Sequence, residues 1–326
     1  MIQKEPKKQH YVPQFLLNKF AMGKKKRIYV FDLKTGKSFA SHIRDTAHEN
    51  GFYYHPVAGN KMELELGKQE TVAAPIIDSI ISEGSIAHLT HEEEYNLGLF
   101  TICQMMRVNS LRETLSQMSQ LVIDDLKGES IEPNSQAADF LNLLLELDVK
   151  KQSIDMLNKN SKELLPYILN KHLSLLKAPK GESFYISDNP IAKYNYQPVK
   201  YRGNLGIGLK GIQIHFPISP KYCLSYLCSE LVQEIRLAVT QRQIAILTGS
   251  EPFIDQSEAM NMLNQIDNKQ TKELSSENIE YHNSLQVLHC SRFIYSNNNN
   301  FQLIEKMLVD NPQIATKPRV VNGQNI

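Results

Sequence analysis

The sequence predicts an α+β fold, small antiparallel β elements packed on a mainly helical body. Three observations predict it: apolar residues recur at helical spacing through most of residues 62–176, short runs near residues 27–42 and 212–227 alternate or group as strands, and Gly, Pro, Asn and Asp clusters separate the two kinds of segment. With 326 residues and 41% hydrophobic content, one sizeable core is within reach, and a single globular body spanning residues 1–326 is expected.

Taken in order, Pro13 to Phe20 reads as one or two helical turns. Arg27 to Leu33 alternates, meets the turn Lys34-Thr35-Gly36-Lys37 and continues into a second alternating run, a β-hairpin. A third short strand is expected at Gly51 to Tyr54. Met62 to Ser82 is helical, with Glu63, Leu66 and Glu70 on neighbouring turns and Pro75 as a kink or a second start. From Thr90, followed by three glutamates that suit the positive end of a helix, a central helix is predicted to about Asp125. Its middle, LFTICQMMRV, is apolar apart from Gln104 and Arg107, which therefore need partners.

The polar loop from Gly128 to Gln136, with Pro133, marks a sub-boundary near residues 127–137. Helices are expected at about 137–148 and 150–176, and a strand at Ser183 to Ile186. Ser187-Asp188-Asn189-Pro190 then reads as a turn in which Asp and Asn bond their own backbone. Tyr194 to Gly211 is a glycine-rich loop, Ile212 to Pro217 and Tyr222 to Leu227 are paired strands, and residues 230–247 fit either helix or strand. Tyr281 to Tyr295 reads as helix, and a last helix is expected near 301–309.

Several function classes are excluded at this level. The longest apolar runs fall well short of the roughly 20 residues of a membrane-spanning helix, and the charged start lacks the apolar region of a secretory signal. A soluble, cytoplasmic protein without membrane partners is expected. Cys103, Cys223, Cys228 and Cys290 form no C-x-x-C pair and read as reduced core thiols. The glycines at 203, 206, 208 and 211 are not followed by Gly-Lys-Ser/Thr, His91-Glu92 lacks a second histidine, and no G-x-S-x-G occurs, so the P-loop, zincin and serine-hydrolase signatures are absent. The spacings of His42, His48 and His55 are not those of a metal site.

Net charge is only +1, but Lys4 to Arg27 holds eight cationic residues, with Lys24, Lys25, Lys26 and Arg27 adjacent, against the single acid Glu5. Interleaved with Tyr11, Phe15 and Phe20, this cluster is either a nucleic-acid-facing patch or a solvated basic turn. His10, just before a rigid Pro13 turn and an apolar anchor, is either an acid or base held in place or a hydrogen-bonding dock for the segment. Arg107, with Gln104 one turn before it, either binds an anion or pairs with Glu63 or Glu70. Asp188 is a base or metal ligand, or a turn-stabilising side chain.

The order of these motifs, HYVPQFLLNKF, then Glu63, Leu66 and Glu70, then Gln104 and Arg107, then FYISDNP at 184–190 and FPISP at 216–220, resembles an uncharacterised bacterial family, domain of unknown function 4238. The resemblance covers most of the chain. It differs after Leu17, where the family pattern has Arg-Asn and this chain has Asn18-Lys19. It implies no activity, but it singles out the same residues as the chemistry does. The expectation is that His10, Glu63 or Glu70, Gln104, Arg107 and Asp188 meet in one cleft acting on a phosphodiester or nucleotide, with or without Mg²⁺, as a nuclease of bacterial defence or a toxin would. The alternative is a non-catalytic sensor or partner-binding protein in which the same residues form a buried ionic network.

Overall fold

The computed structural model describes residues 8–197, 205–250, 255–316 and 318–320. Among them the elements are, in chain order, β1 Lys8–His10, α1 Gln14–Lys19, β2 Arg27–Asp32, β3 Lys37–His42, β4 His48–Asn50, α2 Lys61–Glu83, α3 His91–Met106, α4 Asn109–Gly128, α5 Gln136–Leu145, α6 Val149–Leu169 and β5 Lys171–Lys177. Then follow β6 Ile186–Ser187, β7 Ala192–Asn195, β8 Ile212–Pro217, β9 Tyr222–Cys228, α7 Ser229–Leu247, α8 Ser257–Asp267, β10 Lys272–Glu273, α9 Ser276–His289, β11 Phe293–Ser296 and α10 Gln302–Asp310. The class is α+β as predicted: three small, largely antiparallel sheets lie against a helical body.

The order within the sheets joins distant parts of the chain. One sheet runs β3-β2-β11-β6, so the early hairpin pairs with a strand more than 250 residues later; another runs β10-β5-β9-β8-β7; β1 pairs with β4. Helices on either side of the loop 129–135 also pack together. Gly98 lets α3 approach α6 closely, because a Cβ there would lie 3.2 to 3.4 Å from Leu169, Leu165 and Ile168. The largest core is built by α1, α2, α3, α6 and the inner faces of β8 and β9, with Leu16, Leu17, Ile77, Phe100 and Phe216 essentially inaccessible.

Local sequence is overridden at five places. The strand expected at Gly51 to Tyr54 is instead β4 at residues 48–50, because Gly51 takes a φ of 61° and turns the chain. The central helix expected from Thr90 to Asp125 starts on a capping box, Thr90 with Glu93, but breaks at Arg107 and Val108 into α3 and α4. Val108 is extended, and the carbonyl of Arg107 accepts the Tyr53 hydroxyl at 2.9 Å. The helix expected to residue 176 stops at Leu169, since Lys171 to Lys177 pair residue for residue with Cys228 to Tyr222. Of the strand expected at Ser183 to Ile186, only Ile186 joins β6. The helix expected at Tyr281 to Tyr295 ends at His289, and Phe293–Ser296 becomes β11, paired on both sides with β2 and β6. In contrast α2 continues through Pro75 as one helix, and residues 230–247 resolve as α7. The glycine-rich loop is described only in part, Gly203 lying outside the described residues, as do Lys4 and Lys7 of the basic cluster.

Candidate functional site

The Q-x-x-R residues hold the first motif by its backbone. Arg107, at the end of α3 and 3% exposed, directs Nη1 to Glu70 Oε1 at 2.6 Å, Nη2 to the carbonyl of His10 at 2.7 Å and Nε to the Tyr53 hydroxyl at 3.1 Å. One turn earlier Gln104 donates from Nε2 to the carbonyl of Tyr11 at 2.9 Å. Gln9 completes the clamp, donating to Asn60 Oδ1 at 2.9 Å and accepting from the backbone N–H of Tyr53. A guanidinium whose three nitrogens each donate to a separate acceptor is a structural grip. Glu63 sits alongside, half-buried and with Oε2 lacking a hydrogen-bond partner; burial raises its carboxyl, while Arg107 pulls it down and Glu70 pushes it up. Burial also lifts the Tyr53 hydroxyl to about 12, so it stays protonated and donates.

His10 is buried by this arrangement. Its imidazole is pushed down to about 4, chiefly by burial and then by His48, whose ring centroid lies 5.4 Å away, and its Nε2 has no hydrogen-bond partner. At neutral pH the ring is uncharged.

Asp188 is also buried, but its partners are not those of a local turn. Its Oδ1 accepts from the backbone N–H of Ser291 at 2.7 Å and its Oδ2 from those of Arg292 at 2.8 Å and Phe293 at 2.9 Å. Asn189 donates across a similar distance in sequence to the carbonyl of His289, and only Ser187 bonds within the motif. The Asx turn expected from S-D-N-P is therefore a long-range cap on the start of β11. Burial pushes the Asp188 carboxyl up to about 6, against the backbone N–H groups and the nearby Arg319. A folded-state value above the ordinary 3.8 means that the native chain holds more protons than the unfolded one between those two values. Stability from this group is then complete below pH about 3.8 and is lost as pH rises through about 6, by roughly 3 kcal/mol. Urea unfolding of the wild type and Asp188→Asn at pH 4 and pH 7 checks this: the wild type should lose stability relative to the variant on going to pH 7. The opposite slope would mean that the three N–H donors outweigh burial.

The residues expected to share one cleft fall in two places. A cavity of about 430 Å³ is lined by Tyr11 and Asp188 together, with Lys34, His48, Arg292 and Arg319 around them. His10, Glu63, Glu70, Gln104 and Arg107 do not line it. Instead Arg107 and Gln104 hold the backbone carbonyls of His10 and Tyr11, and Glu70 pairs with Arg107. The Tyr11 phenol is raised by burial and then by the charge of Asp188. The His48 imidazole is lowered by burial and then by Lys8, and its Nδ1 has no partner. Arg292 forms a two-pronged pair with Asp32, at 2.9 and 2.7 Å, and Arg319 reaches Glu113 Oε2 at 2.9 Å. Lys34 makes no ion pair among the described residues.

Lys24, Lys25 and Lys26, in the turn before β2, and Arg27, its first residue, are exposed and do not line the cavity. Lys34 follows the other end of that six-residue strand, about 20 Å away at the usual rise. Among the described residues no three His, Cys, Asp or Glu side chains are grouped closely enough to hold a metal ion.

Sequence reasoning misses Lys34, Arg292 and Arg319, and gives His48 no role. No periodicity marks them, since β1–β4 pairing and the position of β11 are what bring them to the cavity.

The family model for a protein of unknown function, DUF4238, matches residues 8–300, from the first strand through the turn after β11. The chain belongs to the DUF4238 family. In this DUF4238 protein the matched region contains both the clamp around His10 and Tyr11 and the Asp188 cap on β11. Arg319 lies beyond it. No curated protein and no solved structure matches the chain.

Proposed function

We propose that this protein is an enzyme acting on a phosphodiester or nucleotide, most simply a nucleic acid, at the cavity shared by Tyr11 and Asp188. The observation that carries the reading is that two motifs 177 residues apart put these side chains on one polar cavity, beside a cation, Lys34, that has no ion pair among the described residues. Lys34 suits a phosphate oxygen, and the protonated Tyr11 phenol suits a developing negative charge. Neutral His48 suits the general base, because a base must be unprotonated at working pH. Asp188, raised towards neutrality, serves as a second proton-transfer group. Arg107, Gln104 and Glu70 are positioning residues for Tyr11. The exposed Lys24, Lys25, Lys26 and Arg27 would hold a longer polyanion by its backbone. A role in bacterial defence or as a toxin belongs to the same proposal.

Incubation of the full chain with labelled RNA, single-stranded DNA and duplex DNA, with and without Mg²⁺, tests this reading. His48→Gln should slow cleavage by about 10²- to 10⁴-fold, the usual worth of a general base, with Lys34→Ala raising KM. Cleavage indifferent to both His48→Gln and Tyr11→Phe would move the site elsewhere. No cleavage of any substrate would favour the second reading, a non-catalytic sensor, which the three acceptors held by Arg107 and the three backbone donors on Asp188 support.

A further inference from the structure

A second cavity, distinct from that of Tyr11 and Asp188, lies between the five-stranded sheet and helices α7, α8 and α9. Its volume is about 270 Å³, slightly below the roughly 300–1,000 Å³ of drug-sized ligand sites. That size admits a small molecule and excludes a macromolecule. The walls are mainly apolar, formed by Leu227 of β9, Val232 and Ile235 of α7, and Ile266 of α8. One end differs. His215 of β8 is 3% exposed, its Nδ1 is 3.1 Å from the Ser225 hydroxyl on β9, and its Nε2 has no hydrogen-bond partner. His282 of α9 packs edge-on against it, ring centroids 4.5 Å apart, and its Nδ1 is likewise unpartnered and inaccessible. Lys272 of β10 also lines this cavity, exposed and without an ion pair among the described residues.

Orphaned buried polar nitrogens cost free energy unless a partner is supplied. When the Ser225 hydroxyl donates to His215 Nδ1, the ring N–H falls on Nε2, which leaves a buried donor without an acceptor at this end of the cavity. A second imidazole stands beside it, and a cation lines the same cavity. Apolar walls around such an end match a molecule with an apolar body and an anionic, acceptor-only head. We propose that this cavity is a binding site for a small aliphatic carboxylate, the carboxylate accepting from His215 and His282 near Lys272 and the chain lying against Val232, Ile235 and Ile266. The site goes beyond the phosphodiester reading and does not depend on it.

Calorimetric titration of the full chain with octanoate, alongside octanol of the same chain length, is the test. Octanoate should bind, octanol at least tenfold more weakly, and His215→Phe should weaken octanoate at least tenfold while leaving octanol within about threefold. Ile266→Trp, which fills the apolar end, should abolish both. If either core variant fails to fold, Lys272→Ala, an exposed change, should still weaken octanoate severalfold without affecting octanol. Failure of octanoate to bind the wild type, or equal binding of octanol, overturns the proposal. So does octanoate binding that survives Ile266→Trp in a folded protein.

Discussion

Arg107→Ala should destabilise the protein by about 3–5 kcal/mol, the range for breaking a buried ion pair by removing one partner. The arginine holds Glu70, the carbonyl of His10 and the Tyr53 hydroxyl at once, so its loss strips partners from three polar groups on three segments of the chain. Arg107→Lys should recover little, because a single ammonium cannot reproduce the planar fork. Two measurements check the result. Urea unfolding gives the magnitude, and hydrogen exchange at Tyr11, whose N–H bonds the carbonyl of Ala47 at 3.0 Å, reports whether the first motif has come loose. A loss under about 1 kcal/mol would mean that the clamp contributes little net stability after desolvation.

Phe100→Ala should cost a comparable amount, about 3–5 kcal/mol, the usual range for emptying a buried aromatic position. The Phe100 ring is 1% exposed and stands 5.6 Å from Phe15 on α1 and 6.0 Å from Phe216 on β8, centroid to centroid, so three elements meet on it. Phe100→Leu should recover most of the loss by keeping the volume apolar. Thermal unfolding of the pair separates the two. Because α1 follows directly on Tyr11, the alanine variant should also weaken whatever binds at the Tyr11 cavity, through loss of position rather than of contact. If binding is unchanged while stability falls, the cavity does not rely on α1.

The residues that hold the site together are legible in the sequence because chemistry makes them conspicuous. Gln104 and Arg107 stand out as polar groups inside an apolar stretch, and the requirement that buried polar groups find partners points to Glu63 or Glu70, of which Glu70 makes the ion pair. What the spacing does not tell is that the other partners are backbone carbonyls of His10 and Tyr11, since every residue has a carbonyl and none advertises itself. The same limit explains Asp188. Its type suggests a turn, yet its acceptors are filled by N–H groups of Ser291, Arg292 and Phe293, more than 100 residues away.

His48 illustrates a different limit. Its spacing from His42 and His55 argues against a metal site and suggests nothing else, whereas its position beside the cavity follows from the pairing of His10 with His48 across β1 and β4. Strands of three residues carry almost no periodic signal, so such a pairing leaves no trace in composition.

By itself the sequence determined the α+β class, the hairpin at Arg27 to His42, the start of α3 at its capping box, and the set of polar residues that must be satisfied. These follow from local propensity, period and the cost of unpaired polar groups, all of which act within a few residues. Only the tertiary structure decided that α3 and α4 separate at Arg107, that Lys171 to Lys177 and Phe293 to Ser296 are strands, and that Tyr11 rather than His10 shares a cavity with Asp188. Each of those outcomes depends on hydrogen bonds between segments far apart in the chain, and a strand, unlike a helix, has its backbone donors satisfied by partners that its own residues do not specify.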